Sequence, residues 1–298
     1  MKILITGASG LIGRALQESF KQKGHEMLLA GRSEPKRPDQ IKWDVENGFA
    51  EPERLEGLDA IIHLAGENIS GGLRWTEEKK RAIKESRING TRSVVEAIAK
   101  LRDKPKVFIS GSATGFYGSR GDDIVDEDSG PGDTFLSDVC VPWEIESQRA
   151  EQFGIRTVLL RTGIVLSKGG GALAAMLTPF KFGVGGVIGS GKQWMSWIAL
   201  DDAVSAINFI LENESIRGPV NIVAPNPSTN EEFTKTLGSV LYRPTIFPLP
   251  AFAVNLVFGE MGDVLLLDST RVAPKRLMDA GFEFKYPELK QAIEHVLK

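Results

Sequence analysis

At 298 residues the chain is long enough for one large α/β domain, alone or with a smaller C-terminal partner. A formal net charge of −3 offers no basic face to nucleic acid, a single cysteine excludes an internal disulfide, and three scattered histidines suggest no metal site. The opening MKILITGASGLIG is broken by Thr6, Gly7 and Ser9 and lacks a cleavage region, and the apolar run Ala251–Phe258 is too short for a bilayer. A soluble protein of the reducing cytoplasm is expected.

From Lys2 to about Leu166, short β-rich runs alternate with longer helical ones. Strands are predicted over Lys2–Thr6, Glu26–Gly31, Ala60–Ala65, Lys106–Ser110 and Arg156–Leu166, all continuous apolar runs suited to burial on both faces of a parallel sheet. Helices are predicted over Leu11–Lys23, closed by Gly24, and over Thr76–Leu101. This alternation predicts a Rossmann-type doubly wound parallel sheet over residues 1–166. After Leu166 the texture changes to glycine-rich segments punctuated by Pro225, Pro227, Pro244, Pro248 and Pro250, with helices at Asp201–Leu211, Asn230–Leu241 and Pro287–Leu297. Residues 167–298 are expected to form a smaller α/β lobe, sharing segments with the first and laid against the carboxyl ends of its strands.

The first strand runs into TGASGLIG, placing Gly7, Gly10 and Gly13 on a strand-to-helix turn. Glycines there permit the tight turn, let a pyrophosphate approach the main chain, and let helix and strand pack closely. Ser9, Leu11 and Ile12 lie where main-chain N–H groups at the helix start would meet negative charge. The alternative is a turn needed only for packing.

The second strand ends in AGRS, so Arg32 and Ser33 stand where an acidic residue would take the ribose hydroxyls of NAD. A guanidinium there suits the 2′-phosphate of NADP, the cofactor expected, with Lys36 and Arg37 in reserve. Asp44 is placed to meet the adenine amino group, and Leu64, Ala65 and Gly66 to let the cofactor pass close to the main chain. Arg87 and Asn89 are candidates for the same cleft, Arg87 as a complement to phosphate, with the helix surface as the alternative for each. Gly163 would admit main chain to the nicotinamide side, whereas Arg161 is a candidate buried partner for a carboxylate.

With TGASGLIG, HLAGEN, SRINGT and ISGSATGFYG in order, the chain resembles the extended short-chain dehydrogenase/reductases. Within them it is similar to an atypical epimerase-family subgroup of nucleotide-sugar epimerase type, through RTGIVLSKGGGAL, IGSGKQWMSWIALDDAV and FGEMGDVLLLDSTRVAPKRL, the last in a C-terminal domain of unknown function. The resemblance runs nearly end to end.

It implies a catalytic serine, matched by Ser112, followed by a Tyr-x-x-x-Lys in which lysine lowers the tyrosine pKa for proton transfer. Those two positions fall at Leu136 and Cys140, so the usual machinery is missing. Cys140 has no histidine or cation close in sequence and reads as a small buried residue rather than a nucleophile. Tyr117 is the candidate proton donor, with loop packing as its alternative, and His63 reads as a structural histidine.

The segments Gly169–Gly171 and Gly183–Gly191, with Trp194 and Trp197, are candidates for a substrate rim or for plain lobe packing. Asp201 and Asp202 read as helix-capping carboxylates. Two functions remain open. One is an NADP-binding oxidoreductase or epimerase acting on a small nucleotide-sugar-like or other carbonyl or alcohol substrate, with a non-standard proton donor; the other is a non-catalytic NADP-binding regulatory protein, the sense of a cell-division-inhibitor label carried by some relatives. The resemblance allows a homodimer, but no interface is legible.

Overall fold

A computed structural model describes all residues 1–298. Eight strands form one sheet in the order Gly218–Ile222, Arg156–Thr162, Val107–Ala113, Ala60–His63, Lys2–Thr6, Glu26–Gly31, Gln40–Asp44 and Gly48–Phe49. All neighbours are parallel except the last pair, which is antiparallel. Alternate side chains enter two separate cores. Ile3, Ile5, Ile62 and Ile109 join the cluster built with Leu16 and Phe20, while Leu4, Ile61 and Phe108 join the one built with Val94 and Ile98. Each strand is therefore buried on both faces, which is why it reads as an unbroken apolar run.

The long predicted strand Arg156–Leu166 is two strands, Arg156–Thr162 and Ile164–Leu166, separated at Gly163. The second piece leaves the large sheet and pairs in parallel with Trp197–Ala199. Gly218–Ile222, which carries little periodicity, enters the large sheet beside Arg156–Thr162, so that sheet draws on chain from both sides of residue 166. The helix Glu77–Lys100 starts at Thr76, whose hydroxyl accepts the Lys79 N–H. The helix Phe135–Gln148 starts at Thr134 in the same way and carries Pro142 inside it. A third core, with Leu173, Trp197, Phe233 and Ile293, belongs to the C-terminal half. No helix is long and apolar enough to cross a membrane.

Candidate functional site

The three glycines of the first turn serve different ends. Gly7 has φ +69°, and a β-carbon on it would lie 2.7–2.8 Å from the Leu64–Ala65 main chain. A β-carbon on Gly13 would collide with the Gly7 carbonyl oxygen and come within 2.9 Å of the Ala8 Cα. Both are demanded by the protein's own packing. At Gly10 the only neighbour within 4 Å is the Gly7 oxygen at 3.1 Å, so the space before it is open. Gly10 also begins the helix Leu11–Gln22, whose first turn has neither a side-chain cap nor an acidic residue. An open glycine facing an uncapped helix start fits a pyrophosphate. Ser9 is exposed beside it, while Leu11 and Ile12 are half-buried. The Leu11 δ-carbons lie 3.6–3.7 Å from β-carbons built on Gly170 and Gly171, which brings the Gly169–Gly171 loop to the mouth of this turn.

Arg32 and Ser33 are exposed at the end of Glu26–Gly31, on the far side of the central strand. Neighbouring charges are already paired: Lys42 with Glu34, and Arg37 with Asp39 at 3.0 Å, so Arg37 is not a free reinforcement. Arg32 itself makes no ion pair. Asp44 holds its own loop, with Oδ1 accepting N–H groups of Glu46 at 3.0 Å and Asn47 at 2.7 Å. Hydrogen bonding from the Asn47 backbone, foremost, holds its carboxyl below the usual range. Three bonds to Oδ1 and one to Oδ2 make Asp44 the anchor of its own turn, and Oδ2 keeps room to accept a further donor.

On the other side, the Leu64 N–H donates to the Thr6 carbonyl at 3.2 Å, fixing the Leu64–Gly66 turn beside the glycine turn. A β-carbon on Gly66 would sit 3.2 Å from the Arg87 Cζ, so the Arg87 guanidinium lies against that turn and not on the helix surface. Asn89 lies elsewhere: it accepts from Arg92 at 3.3 Å and lines an outer hollow with Lys80, Lys84 and Phe135. His63 is fully buried, its Nδ1 2.7 Å from the Thr6 hydroxyl, and burial pushes its pKa down to about 3, as suits a neutral structural histidine.

A buried polar network ties Ser112 to Glu144 and Arg161. The Ser112 hydroxyl donates to Glu144 Oε1 at 2.6 Å, and Arg161 clamps both Glu144 oxygens at 2.9 Å. With its single O–H committed to the Glu144 carboxylate, Ser112 can only accept from any further partner. Tyr117 is fully buried: its hydroxyl donates to Asn221 Oδ1 at 2.7 Å and accepts from Arg161 Nη1 at 3.0 Å. Burial pushes that phenol up to about 12. The candidate role of Tyr117 as a proton donor is therefore corrected; it is a core side chain. Leu136 packs over Gly115, with its Cβ 2.8 Å from a β-carbon built there, and Cys140 sits one helical turn on, 3.9 Å from the Ala113 carbonyl. Cys140 is 2% exposed, and burial pushes its thiol up to about 12, the opposite of an activated nucleophile.

Gly163 is corrected too. A β-carbon there would collide with the Ser196 carbonyl and approach Val223 within 2.7 Å, so the glycine lets two strands cross and is not an opening for a ligand. Trp197 is fully buried, and Gly186 is needed for the passage of the Phe247 carbonyl, so these belong to lobe packing. Trp194 stays half-buried, with Arg271 4.1 Å over its ring and its N–H on Asp122 at 2.9 Å. Asn221 and Glu127, whose carboxylate accepts the Asn221 N–H at 2.9 Å, escape sequence reading because more than ninety residues separate them (Glu127 to Asn221, |i−j| = 94). Arg161, in contrast, is the buried carboxylate partner its position suggested.

An eight-stranded Rossmann sheet with an open glycine turn defines a dinucleotide-binding protein of the extended short-chain dehydrogenase/reductase class. The chain belongs to the NAD dependent epimerase/dehydratase family, whose model matches residues 3–223, and a domain of unknown function (DUF1731) matches residues 249–296. It is 36% identical over 299 residues to the epimerase family protein SDR39U1 of Homo sapiens, covering 100% of both chains. It is 39% identical over 302 residues to the epimerase family protein YfhF of Bacillus subtilis, covering 100% of this chain and 98% of that one. The crystal structure of human SDR39U1 with NADPH superposes with a TM-score of 0.90 at 35% identity, over 99% of each chain. A UDP-N-acetylglucosamine 4-epimerase from Bacillus cereus shares the fold at 17% identity, with a TM-score of 0.77 over 99% of this chain and 98% of that one.

Proposed function

We propose that the protein is an NADP(H)-binding oxidoreductase or epimerase of the extended short-chain dehydrogenase/reductase type, acting on a small nucleotide-sugar-like substrate. The observation that carries the cofactor choice is Arg32, an exposed guanidinium without a protein partner at the end of the second strand. A 2′-phosphate gains a charge-assisted bond there, and the diol of NAD does not. NADPH in the structure of human SDR39U1 supports the same reading. Gly7, Ser9, Gly10, Leu11, Ile12 and Gly13 would hold the pyrophosphate, and Leu64, Ala65, Gly66 and Arg87 would flank the nicotinamide half.

When bound, NADP(H) supplies or accepts a hydride. This chain's residues bind and orient it, but Ser112, Glu144, Arg161 and Tyr117 are tied into one another. That same observation favours the second reading, a non-catalytic NADP-binding regulatory protein. Calorimetric titration with NADP and NAD tests the cofactor assignment, and matching curves for the two would overturn it. A turnover panel of nucleotide sugars and simple carbonyls, with NADPH, separates enzyme from regulator. We further propose a cytoplasmic setting, a cofactor lobe over residues 1–166 and a substrate lobe over 167–298, with light scattering to decide between monomer and homodimer.

A further inference from the structure

Residues 152–200 and 233–259 contain no Asp or Glu, although the chain carries 39. The fold joins the two stretches at one tip of the C-terminal half. The Leu249 N–H donates to the Val187 carbonyl and the Gly189 N–H to the Leu249 carbonyl, both at 2.8 Å. Gly186 and Ile246 form an antiparallel bridge, and Arg243 Nε donates to the Lys181 carbonyl at 2.8 Å. Two glycines make the junction tight. A β-carbon on Gly185 would lie 2.4 Å from the Phe180 ring, and one on Gly186 would collide with the Phe247 carbonyl. Packing this close fixes what the tip presents to solvent.

That surface is apolar and cationic. Phe182 is 80% exposed, Ile246 71% and Tyr242 88%, with Val184 and Phe247 exposed beside them. Lys181 and Arg243 are exposed at the same tip and pair with no carboxylate; Arg243 donates only to the carbonyls of Lys181 and Tyr242. The helix Ala251–Phe258 follows. Its Phe252 and Leu256, one turn apart on one face, are exposed, while Val254 is buried. Too short to cross a bilayer, an apolar helix of this kind can lie on one.

Tyr242 adds an observation of a different kind. It is the one non-glycine residue with positive φ, at +54°. It closes the helix Asn230–Leu241 in the left-handed conformation, a place that glycine fills at no steric cost. Its ring is nearly all in solvent, and its hydroxyl bonds to no protein atom. A strained tyrosine without contacts in its own chain contributes nothing to folding, so its contact lies outside the chain.

Charge chooses that contact. A second copy docked about a two-fold axis would set Lys181 and Arg243 against their like, which is unfavourable. Protruding aromatic rings flanked by cations match a bilayer with anionic headgroups, where rings sit at headgroup level and each Lys or Arg adds attraction. We propose that the tip formed by residues 181–184 and 242–247, with the exposed face of the following helix, docks the protein on an anionic phospholipid surface. None of these residues belongs to the NADP assignment above, so the two readings stand or fall separately.

Sedimentation with phosphatidylcholine vesicles, with and without phosphatidylserine, tests this. The wild type is expected to pellet with the phosphatidylserine vesicles, and less so as salt screens its cations. Lys181→Gln changes a side chain without a bond in the chain and should weaken that binding about fivefold. Phe182→Ser combined with Ile246→Ser should weaken it about tenfold or more. Tyr242→Gly gives a readout that a folding defect cannot imitate: the melting temperature should rise by about 1–3 °C while vesicle binding falls severalfold. A wild type that stays in the supernatant, or that pellets equally with both vesicle types, would overturn the proposal. So would variants that pellet as well as the wild type. A wild-type dimer in light scattering that Phe182→Ser with Ile246→Ser turns into a monomer would give the surface to a second copy instead, and overturn it too.

Discussion

Gly10 and Gly13 are three residues apart in one turn, yet their environments predict opposite behaviour. Gly10→Val should leave a folded protein that no longer binds NADP, because the new side chain enters open space in front of the turn. Gly13→Ala should destabilise the protein with or without cofactor, because its β-carbon meets the Gly7 carbonyl. Circular-dichroism melts with and without NADP separate the two, and a cofactor-free melt of Gly10→Val as depressed as that of Gly13→Ala would contradict this assignment. The Glu144–Arg161 pair makes a third case. Both side chains are under a tenth exposed, so Glu144→Ala strands a buried guanidinium and should cost about 3–5 kcal/mol in denaturant unfolding. Cys140→Ala removes only a small buried side chain and should leave NADP affinity unchanged within about twofold, a bound well under 1.4 kcal/mol.

At the scale of elements, the short helical segment Asp263–Leu267 turns into Asp268, whose N–H donates to the Asp263 carbonyl at 2.9 Å. Burial, then Asp263 and Asp133, push the Asp268 carboxyl from 3.8 up to about 6. A raised carboxyl pKa means that the folded state keeps the proton longer than the unfolded chain does. Asp268 therefore costs nothing below about pH 4, and its cost grows as pH rises through about 6. Asp268→Asn should raise the melting temperature at pH 8 by about 2–4 °C, with the gain fading toward pH 4. A gain of the same size at both pH values would show that the side chain acts through something other than its charge.

Across the whole molecule, the C-terminal segment is laced back onto loops of the large sheet. Arg74 donates to the carbonyls of Leu256 and of Val257, the latter at 2.9 Å, and Lys80 pairs with Glu260 at 3.0 Å. The Arg120 N–H reaches the Ser269 carbonyl at 2.7 Å, and the Ser196 hydroxyl donates to the Thr270 carbonyl at 2.8 Å. Arg74→Ala should loosen residues 251–262 in amide exchange while the Lys2–Thr6 and Val107–Ala113 strands keep their protection. Uniform loss across both regions would mean that the ties hold the whole fold and not one segment.

The sheet, the glycine turn and the empty Tyr-x-x-x-Lys positions were legible in the sequence because each rests on local chemistry. Apolar runs mark strands buried on two faces, glycine spacing marks a turn, and a residue type either carries a proton or does not. Arg161 could be foreseen as a carboxylate's partner for the same reason: a charged residue inside an apolar strand needs one. What each glycine is for was not legible, since Gly10 and Gly163 differ only in what the distant chain places before them, open space in one case and the Ser196 carbonyl in the other. Tyr117 looked available from its glycine-flanked loop until Asn221 and Arg161 closed around its hydroxyl. Gly218–Ile222 became a strand of the large sheet only because Arg156–Thr162 presented an unpaired edge to it. Contacts across a hundred residues leave no period in the sequence, and the tertiary structure alone decides them.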